Sequence, residues 1–545
     1  MDKYPLLMKG LAVGIILLFV GTCIIPAIAQ DIEKSSLPTS RGNWLYVGGD
    51  GPGNYTKIQN AVDNASNGDT VFVYDDSSPY DEHIIVNKSI RLIGENKDTT
   101  IIDGDVDLFA DYVTITGFTI QNGGSFETLL IESENNIITG NNIINNNGIG
   151  ISITDSSNII SNNSIINCEN HGIFINSCNN YICDNFISTC HNGIYDCSIN
   201  NTITRNCIIK SEYQGIYCGG SSYTVITRNI ITDSGNGIGG EDIGMIDVTN
   251  SIISENDVTG SLSKYWRWSI DLLSCSNNTI TKNNLIGIWG KYSSENEIFE
   301  NVFSHESLGI QLDFSPKNVI YSNIFKNMWT GIYLLTNLSC NNSIYHNDFI
   351  SNYQNAYDVS DIENFFDDGY PSGGNYWDDY TGIDSNNDGI GDTPYKIPYK
   401  NNTDRYPLME PYNDDNLPPE TPSIGGSKIG KVGVEYNYSF VATDPDGDNV
   451  YYYILWGDDT VSGWLGPYSS DKEISFSHVW LKKGVYTIKI KAKDINGLFS
   501  SQWGTLKIYM PRSISYTSLF MKFFERFPHA FPILRYLLFP YETVG

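Results

Sequence analysis

Hydrophobic and polar positions alternate in short runs from about residue 130 to residue 360, and no run fits the 3.6-residue period of a helix. Each run follows the pattern Asn-x-Ile-x-x-Asn, then a turn, then Gly-Ile and a short apolar alternation. The closing asparagines recur at steps of 18 to 27 residues. They are Asn141, Asn163, Asn185, Asn206, Asn229, Asn256, Asn283, Asn301, Asn323 and Asn347. The pattern predicts two or three short strands in every repeat.

One such repeat is too short to bury its own apolar face, so repeats must stack. Stacking places equivalent positions over one another at the ~4.8 Å spacing of neighbouring strands. Asparagine at a corner tolerates the left-handed backbone that a sharp turn needs. The sequence therefore predicts an all-β fold dominated by a parallel β-helix, a solenoid of stacked coils.

Segments on both sides of the repeats strengthen this prediction. Tyr55–Asp63 has the pattern of a short amphipathic helix, and Gly374-Asn-Tyr-Trp-Asp-Asp-Tyr380 follows the last repeat. With the repeats, these segments resemble right-handed β-helix proteins of the pectin-lyase-like superfamily, specifically the NosD-type and CASH-type repeats. The resemblance covers about residues 43–415 and implies that the helix caps the open end of the solenoid. It implies little about chemistry, because this fold hosts many functions.

The composition changes at about Leu417, where a proline-rich linker begins. Alternation with period 2 then predicts strands over 436–443, 449–456, 473–479 and 485–493. The runs Asp444-Pro-Asp-Gly-Asp448, Trp456-Gly-Asp-Asp-Thr460 and His478-Val-Trp480 resemble a PKD domain, an immunoglobulin-like β-sandwich. The resemblance implies a spacer module in which His478 is structural.

The N-terminal segment has the pattern of an export signal. Lys3 and Lys9 precede the apolar run Leu11–Ile25, and Ala27-Ile28-Ala29 matches a signal-peptidase site. We expect an exported protein at the cell surface or outside the cell, with an uncleaved membrane anchor as the alternative. The apolar tail suits either an interfacial anchor, a processing signal or a strip packed on the sandwich.

The chain therefore divides into five predicted segments. These are a signal peptide (1–29), a β-helix with its N-terminal cap (30–365), a closing segment with a calcium-loop motif (366–415), an immunoglobulin-like sandwich (416–510) and an apolar tail (511–545).

Charge narrows the classes of partner. The chain has 33 Lys and Arg against 63 Asp and Glu, a formal charge of −30. A nucleic-acid backbone must be met with basic side chains, so nucleic acid is excluded as a partner. The acidic balance suits a protein surface that holds divalent cations.

The closing segment contains a candidate calcium loop. Asp384, Asn386, Asp388 and Asp392 place oxygen side chains at loop positions 1, 3, 5 and 9, and Ile390 offers a backbone carbonyl. Gly389 stands where such a loop turns sharply. Position 12 is Tyr395 rather than Glu, so the loop looks more like the repeat-type loops of thrombospondin and dockerin modules. We expect structural calcium here, and a metal-free Asp/Asn turn is the alternative.

A column of outward positions follows the Gly-Ile pairs. Strand alternation turns the residue after each inward isoleucine outward. The column reads Ser152, Phe174, Tyr195, Tyr217, Gly239, Asp271, Trp289, Gln311, Tyr333 and Tyr357. Aromatic rings suit the flat apolar C–H faces of sugars, so the six aromatic members are the candidate ligand-binding residues. An aromatic ladder that only stabilises the sheet is the alternative.

Two further groups suggest other chemistry. Arg205 and Arg228 stand near acids in the column before the closing asparagines, as β-elimination of a uronide in related lyases requires; a solvated ion-pair ladder is the alternative. A second group has Cys168 and His171 one coil below a similar pair, Cys190 and His191, so a soft-metal site is conceivable. The NosD-type resemblance implies a link with copper, whereas thiol ladders or disulfides need no metal.

Three functions from different classes follow. The favoured one is an exported, non-catalytic protein that binds envelope or extracellular carbohydrate and carries structural calcium. The alternatives are a polysaccharide lyase or glycoside hydrolase, and a NosD-like periplasmic copper-handling protein.

Overall fold

The computed structural model describes residues 42–510 except 124–125, 236–240, 260–267, 305–306, 361, 401, 414–415 and 501. The predicted signal peptide and apolar tail lie outside the described residues, so membrane association through them stays a prediction. Three long parallel sheets form a β-solenoid, and small antiparallel sheets follow it. The predicted all-β fold with a parallel β-helix is confirmed.

Between residues 91 and 358 each coil contributes one strand to each of the three sheets, and every strand pairs in parallel with its equivalent in the next coil. Sheet 1 has 14 strands. They are β1 Trp44–Val47, β2 Thr70–Val73, β4 Arg91–Gly94, β7 Thr114–Thr116, β10 Ile137–Thr139, β13 Ile159–Ser161, β16 Tyr181–Cys183, β19 Thr202–Thr204, β22 Val225–Thr227, β25 Ile252–Ser254, β28 Thr279–Thr281, β31 Glu297–Phe299, β34 Val319–Tyr321 and β37 Ser343–Tyr345.

Sheets 2 and 3 have 13 strands each. Sheet 2 comprises β5 Ile101–Asp103, β8 Thr119–Gln121, β11 Asn142–Asn146, β14 Ser164–Cys168, β17 Phe186–Ser188, β20 Cys207–Ile209, β23 Ile230–Thr232, β26 Asp257–Val258, β29 Asn284–Leu285, β32 Val302–Ser304, β35 Ile324–Lys326, β38 Asp348–Ile350 and β40 Tyr376–Trp377. Sheet 3 comprises β3 Ile84–Val86, β6 Val106–Leu108, β9 Glu127–Ile131, β12 Ile149–Ile153, β15 His171–Ile175, β18 Asn192–Asp196, β21 Gln214–Gly219, β24 Ile243–Ile246, β27 Ile270–Leu273, β30 Ile288–Lys291, β33 Leu308–Asp313, β36 Thr330–Leu334 and β39 Gln354–Asp358.

The solenoid core consists of aliphatic columns. In one coil, Ile160 of β13, Ile165 of β14 and Ile173 of β15 point inward and are fully buried. Each buried isoleucine contributes roughly 1.5–3 kcal/mol of transfer free energy. Because the next coil repeats the same three positions, every isoleucine packs on its equivalents above and below.

The closing asparagines are buried and form a hydrogen-bonded ladder along the solenoid. The Nδ2 of Asn163 donates to the Oδ1 of Asn185 at 3.1 Å, and its backbone N–H donates to the same oxygen at 3.0 Å. The left-handed conformation occurs one residue earlier, with φ of 57° at Asp184 and 54° at Arg205. The expectation that these asparagines adopt the left-handed turn is therefore wrong. Asparagine is needed because its amide bonds two coils at once.

Both ends of the solenoid are capped. Helix α1 (Ile58–Asn64) buries Ile58, Ala61 and Val62 on the first coils. At the far end, Trp377 stacks on Phe349 with ring centroids 4.4 Å apart, which continues an interior aromatic column. No helix in the described part of the chain is long and apolar enough to cross a membrane.

Asp404 completes the last coil. Its Oδ2 accepts hydrogen bonds from the Asn375 N–H at 2.7 Å and from Trp377 Nε1 at 2.9 Å. It thus takes the position that the next asparagine would occupy in the ladder. Burial raises the pKa of this carboxyl to about 7. Asp404 belongs to β42 (Thr403–Asp404), which pairs antiparallel with β41 (Tyr395–Lys396).

The C-terminal domain is a sandwich of two antiparallel sheets. One sheet contains β43 (Ser423–Gly426), β44 (Glu435–Val441) and β47 (Ile474–Val479); the other contains β45 (Val450–Leu455), β46 (Val461–Tyr468), β48 (Gly484–Asp494) and β49 (Gly504–Met510). Its core includes Tyr438, Trp456 and Trp480. His478 stacks on Trp456 at 4.5 Å and pairs with Asp458 at 2.8 Å, as a structural residue does.

The sandwich packs against the solenoid. Phe186, Ile209 and Ile230 of sheet 2 form an apolar cluster with Tyr453 and Leu455 of β45. The two domains therefore share a buried interface, and the implied spacer role of the sandwich stays a prediction.

Candidate functional site

The six predicted aromatic residues lie in one column on the outer face of sheet 3. Strand pairing aligns Ser152, Phe174, Tyr195, Tyr217, Gly244, Asp271, Trp289, Gln311, Tyr333 and Tyr357. Gly239, which was expected in this column, lies outside the described residues, and strand pairing places Gly244 beside Tyr217. The aromatic side chains in the column are partly exposed.

Rings in neighbouring coils contact each other. The centroids of Tyr195 and Tyr217 are 4.5 Å apart, and those of Phe174 and Tyr195 are 5.7 Å apart. At the other end of the column, Tyr333 and Tyr357 meet edge to face at 5.0 Å. Five of the six rings therefore form two contacting groups, Phe174–Tyr195–Tyr217 and Tyr333–Tyr357, and Trp289 lies between these groups in the column.

The inner end of the first group lies beside two glycines. A Cβ at Gly219 would lie 2.8 Å from the Tyr217 ring, and a Cβ at Gly244 would lie 3.5 Å from it. The ring therefore extends along the strand surface, and no side chain from these two positions covers it. Burial is the largest cause that raises the Tyr217 pKa, to about 12.

Asp271 occupies the gap between the two aromatic groups and was not among the predicted binding residues. Its Oδ1 is buried and has no hydrogen-bond partner among the described residues. Burial raises the Asp271 pKa to about 7; Glu241 adds to the effect and Lys291 opposes it. The signal in the sequence was one acid in a column that is otherwise mostly aromatic.

Polar groups continue beyond Asp271. Trp289, the next member of the column, donates from Nε1 to Asp313 Oδ2 at 2.9 Å. Lys291 Nζ lies 5.8 Å from the Trp289 ring centroid. The centre of the face therefore combines an indole ring, an ammonium group and two carboxyls, which suits a hydroxylated ligand.

The arginine column forms ion pairs on a different part of the solenoid. Arg205 meets Asp184 through two hydrogen bonds, of 2.8 and 2.7 Å. Arg228 meets Glu255 in the same way, at 2.8 and 3.2 Å. The alternative of an ion-pair ladder describes this geometry, and neither arginine belongs to the aromatic column.

The candidate calcium loop is closed by its own hydrogen bonds. Asp384 accepts from the N–H groups of Asp388 and Gly389, and Asp392 accepts from the N–H of Ser385 at 2.9 Å. The hydrogen bond from Ser385 lowers the Asp392 pKa. Gly389 has a φ of 86°, as the sharp turn requires. The carboxylate oxygens of Asp384, Asp388 and Asp392 thus accept hydrogen bonds within one short loop. The Nδ2 of Asn386 donates to Asp388 in the same loop.

The side-chain oxygens of this loop do not converge on one position. Within the described ranges, no group of three or more His, Cys, Asp or Glu side chains is placed to hold a metal ion. Side-chain oxygens bonded to loop amides must partly turn to coordinate a cation. The donor set fits calcium in chemistry, since it consists of oxygens.

The cysteines and His171 of the candidate soft-metal site do not lie together. Cys168 and Cys190 are buried, and their thiols interact: Cys190 lowers the Cys168 pKa. His171 instead stacks on Phe174 at 5.7 Å, on the outer face. Burial and the neighbouring His191 lower the His171 pKa to about 4. The thiols therefore point into the core and His171 points out of it.

The comparison with family models gives one match. The model described as periplasmic copper-binding protein (NosD) matches residues 62–231 and 209–382, which together exceed half of the chain. For copper, the candidate residues Cys168, Cys190 and His171 do not converge, because both thiols are buried and His171 lies on the outer face beside Phe174. A comparison with curated proteins finds no match.

Solved structures provide similar chains. The PKD domain of an M14-like peptidase from Thermoplasmatales archaeon SCGC AB-540-F20 is 52% identical over 18% of this chain and 99% of its own, with a TM-score of 0.18. The A-module of the Azotobacter vinelandii mannuronan C-5 epimerase AlgE4 is 12% identical over 56% and 91%, with a TM-score of 0.34. The pectate lyase Pel9A is 12% identical over 60% of this chain and 80% of its own, with a TM-score of 0.31.

Proposed function

This chain belongs to the NosD family, and from that premise we propose that it is an exported β-helix protein that binds envelope or extracellular polysaccharide. The proposed binding surface is the outer face of sheet 3, and the proposed location is the cell surface. One observation carries the proposal: six aromatic side chains lie in a single registered column on that face.

Aromatic rings attract sugars because a pyranose ring has flat C–H faces that lose little on desolvation. In-register strands repeat these rings at steps of ~4.8 Å, so a chain of sugars meets similar groups along its length. The contacts among the rings fix their positions before the ligand arrives, which reduces the entropy lost on binding. These features support non-catalytic retention of a polymer.

A paired tyrosine variant tests the proposal. We expect Tyr195→Ala/Tyr217→Ala to weaken retention of a polysaccharide recognised on a glycan array by roughly tenfold or more, or about 1.4 kcal/mol. The melting temperature should change little, because both side chains point away from the core. The matched control is Tyr353→Ala/Tyr509→Ala, which removes two exposed tyrosines outside the column. Equal retention by all three proteins would refute the aromatic face.

We also propose that the loop of Asp384, Asn386, Asp388, Ile390 and Asp392 holds structural calcium. Calcium takes six to eight oxygen ligands, and this loop offers carboxylates, an amide and the Ile390 carbonyl within nine residues. The loop is tied to the closing segment, since Met409 N–H donates to the Gly389 carbonyl at 3.0 Å. Calcium there would hold the closing segment on the last coil.

A second candidate function is cleavage of the polysaccharide, as a lyase or hydrolase. Asp271 favours it, because a carboxyl whose pKa is about 7 can donate a proton near neutral pH. Incubation with acidic and neutral polysaccharides distinguishes the two functions. Release of products that Asp271→Asn abolishes would replace binding by catalysis.

A further inference from the structure

Three segments of the chain meet at the end of the sandwich where β48 begins. They are residues 428–434, 480–485 and 507–510, and together they are called the basic apolar end. Backbone hydrogen bonds join them. The Gly433 N–H donates to the Trp480 carbonyl, and the Tyr509 N–H donates to the Lys428 carbonyl, both at 2.9 Å. The three segments therefore form one continuous surface.

Large apolar side chains are exposed on the basic apolar end. They are Ile429, Val434, Leu481, Val485 and Tyr509. Leu481 and Ile429 protrude the most, with 78% and 67% of their surface exposed. The rest of the described sandwich exposes two such side chains, those of Leu417 and Ile495. Apolar side chains clustered in this way mark a surface that another molecule covers.

The same end is basic, although the chain as a whole is acidic. Its three segments contain five lysines and no Asp or Glu. These lysines are Lys428, Lys431, Lys482, Lys483 and Lys507, and all five are exposed. Lys489 and Lys491 of the same domain instead pair with acids of the solenoid. The positive charge that the sandwich offers to a partner is therefore concentrated at the basic apolar end.

The chain also leaves the sandwich at this end. Strand β49 ends at Met510, and the apolar tail 511–545 follows it. The tail sequence is rich in Phe and Leu, with basic residues such as Lys522 and Arg526 among them. Because this tail starts beside an apolar and basic surface, one partner of matching chemistry can contact both.

We propose that the basic apolar end docks on the surface of an anionic lipid bilayer. Its lysines face the lipid phosphate groups, and Leu481 and Ile429 enter the headgroup region. Lysines close to an anionic bilayer are attracted by its surface potential, and aliphatic side chains gain free energy when they leave water. The formal charge of −30 repels the rest of the chain from such a bilayer, so this end determines how the protein is oriented.

Other occupants fit the basic apolar end less well. A second copy of the chain docked through the same surface would bring lysines against lysines. A soluble polyanion would satisfy the lysines and leave Leu481 and Ile429 in water. The proposal does not depend on polysaccharide binding by sheet 3, because none of the residues in the aromatic column belongs to the sandwich.

Vesicle flotation of the full chain tests the proposal. The vesicles contain phosphatidylcholine alone or with about 30 mol% phosphatidylglycerol, which supplies the anionic surface. We expect the anionic vesicles to bind the protein at least tenfold more tightly than the neutral ones at low salt. The difference should shrink at about 0.5 M salt, because salt screens the attraction. Equal binding to both kinds of vesicle, or binding to neither, would overturn the proposal.

A lysine variant assigns the binding to this end. We expect Lys482→Gln/Lys483→Gln to weaken binding to anionic vesicles by roughly tenfold or more, since each lysine near an anionic surface contributes about fivefold. The matched control Lys326→Gln/Lys472→Gln removes two exposed lysines outside the basic apolar end and should bind like the wild type.

A leucine variant separates a lipid surface from a soluble polyanion. We expect Leu481→Ser to weaken binding to anionic vesicles by about fivefold or more, because the side chain no longer leaves water. The control Leu338→Ser removes an exposed leucine of the solenoid and should bind normally. If the lysine variant loses binding and Leu481→Ser keeps it, the surface recognises charge alone and lipid docking is wrong. Normal binding by both the lysine variant and Leu481→Ser would show that other parts of the chain hold the vesicles, which also overturns the proposal.

Discussion

The interface between the two domains contains a fully buried ion pair whose disruption should be costly. Lys491 of β48 and Asp257 of β26 are 0% and 1% exposed, with Nζ and Oδ2 3.3 Å apart. Lys491 also donates to Thr259 Oγ1 at 2.8 Å. Burial lowers the Lys491 pKa, and Asp257 opposes that effect. The ammonium therefore depends on this one carboxylate for its charge.

We expect Lys491→Met to destabilise the docked sandwich by about 3–5 kcal/mol, because it leaves Asp257 as an uncompensated buried charge. Asp257 would retain hydrogen bonds from Thr259 Oγ1 at 2.8 Å and Asn284 Nδ2 at 3.0 Å. Because these two hydrogen bonds partly stabilise the Asp257 carboxylate, we expect a destabilisation in the lower part of the 3–5 kcal/mol range. Asp257→Asn should cost less as the pH rises, since the unpaired lysine can lose its proton.

The assay is urea unfolding of the full chain followed by tryptophan fluorescence, because Trp456 and Trp480 lie in the sandwich core. A double-mutant cycle with Lys491→Met, Asp257→Asn and both together isolates the coupling between the partners. The control Lys507→Met removes an exposed lysine from the same domain. If Lys491→Met unfolds within about 1 kcal/mol of that control, the buried ion pair does not hold the domains together as argued.

Two further predictions concern the closing loop and the centre of sheet 3. Removing calcium with a chelator should lower the melting temperature, and the lost stability should be about 2.7 kcal/mol if calcium was present at 100 times its Kd. The Asp388→Ala variant should lose this response, and the control Asp50→Ala should keep it. Melting temperatures that do not respond to the chelator in any of these proteins would exclude calcium. Asp271→Asn should stabilise the fold increasingly between about pH 4 and pH 7, because the folded-state pKa of Asp271 is raised to about 7 and its ionised form is therefore disfavoured in the fold. Melting curves of wild type and variant at pH 4.5 and pH 8 check the sign, and an equal difference at both values would contradict the burial of Asp271.

Local periodicity was sufficient to predict the solenoid. Each coil repeats the same inward isoleucines and the same corner asparagine, so the interaction that stacks the coils is visible in one 22-residue window. A second asparagine ladder was not predicted, although Asn136, Asn158 and Asn180 recur with the same spacing and hydrogen-bond successive coils. The insertion before Gly244 also went unseen, because alignment by Gly-Ile pairs fails where a connection lengthens.

The sandwich was harder to predict because its strands depend on partners distant in sequence. β46 (Val461–Tyr468) contains Gly463, Gly466 and Pro467, which indicate turns in a local window. It is a strand because it pairs with β45, with register shifts that accommodate these residues. β49 was also missed, and it pairs with β48 in regular antiparallel register.

The packing of the sandwich on the solenoid was not predicted, for a related reason. Outward positions of a solenoid strand are expected to be polar, yet Phe186, Ile209 and Ile230 are apolar at such positions of sheet 2. Phe186 and Ile230 form one column with Cys207 in successive coils, and Ile209 lies in a neighbouring column, so only the group together indicates a covered surface. Asp271 is the inverse case, since a single acid in an aromatic column acquires meaning only when its burial is known.

Docking also determines which surfaces of the solenoid are left for a ligand. The sandwich covers the outer face of sheet 2 along β17, β20 and β23, where Tyr453 and Leu455 bury the apolar side chains. The coils of β17 and β20 present Tyr195 and Tyr217 on sheet 3, and the sandwich cluster does not include these residues. Apolar residues on sheet 2 are thus accounted for by contact with the sandwich, whereas the aromatic column on sheet 3 contacts only single neighbours such as His171 and Tyr399, and its rings stay partly exposed. This difference is the reason to assign a ligand to sheet 3 and not to every aromatic or apolar column of the solenoid.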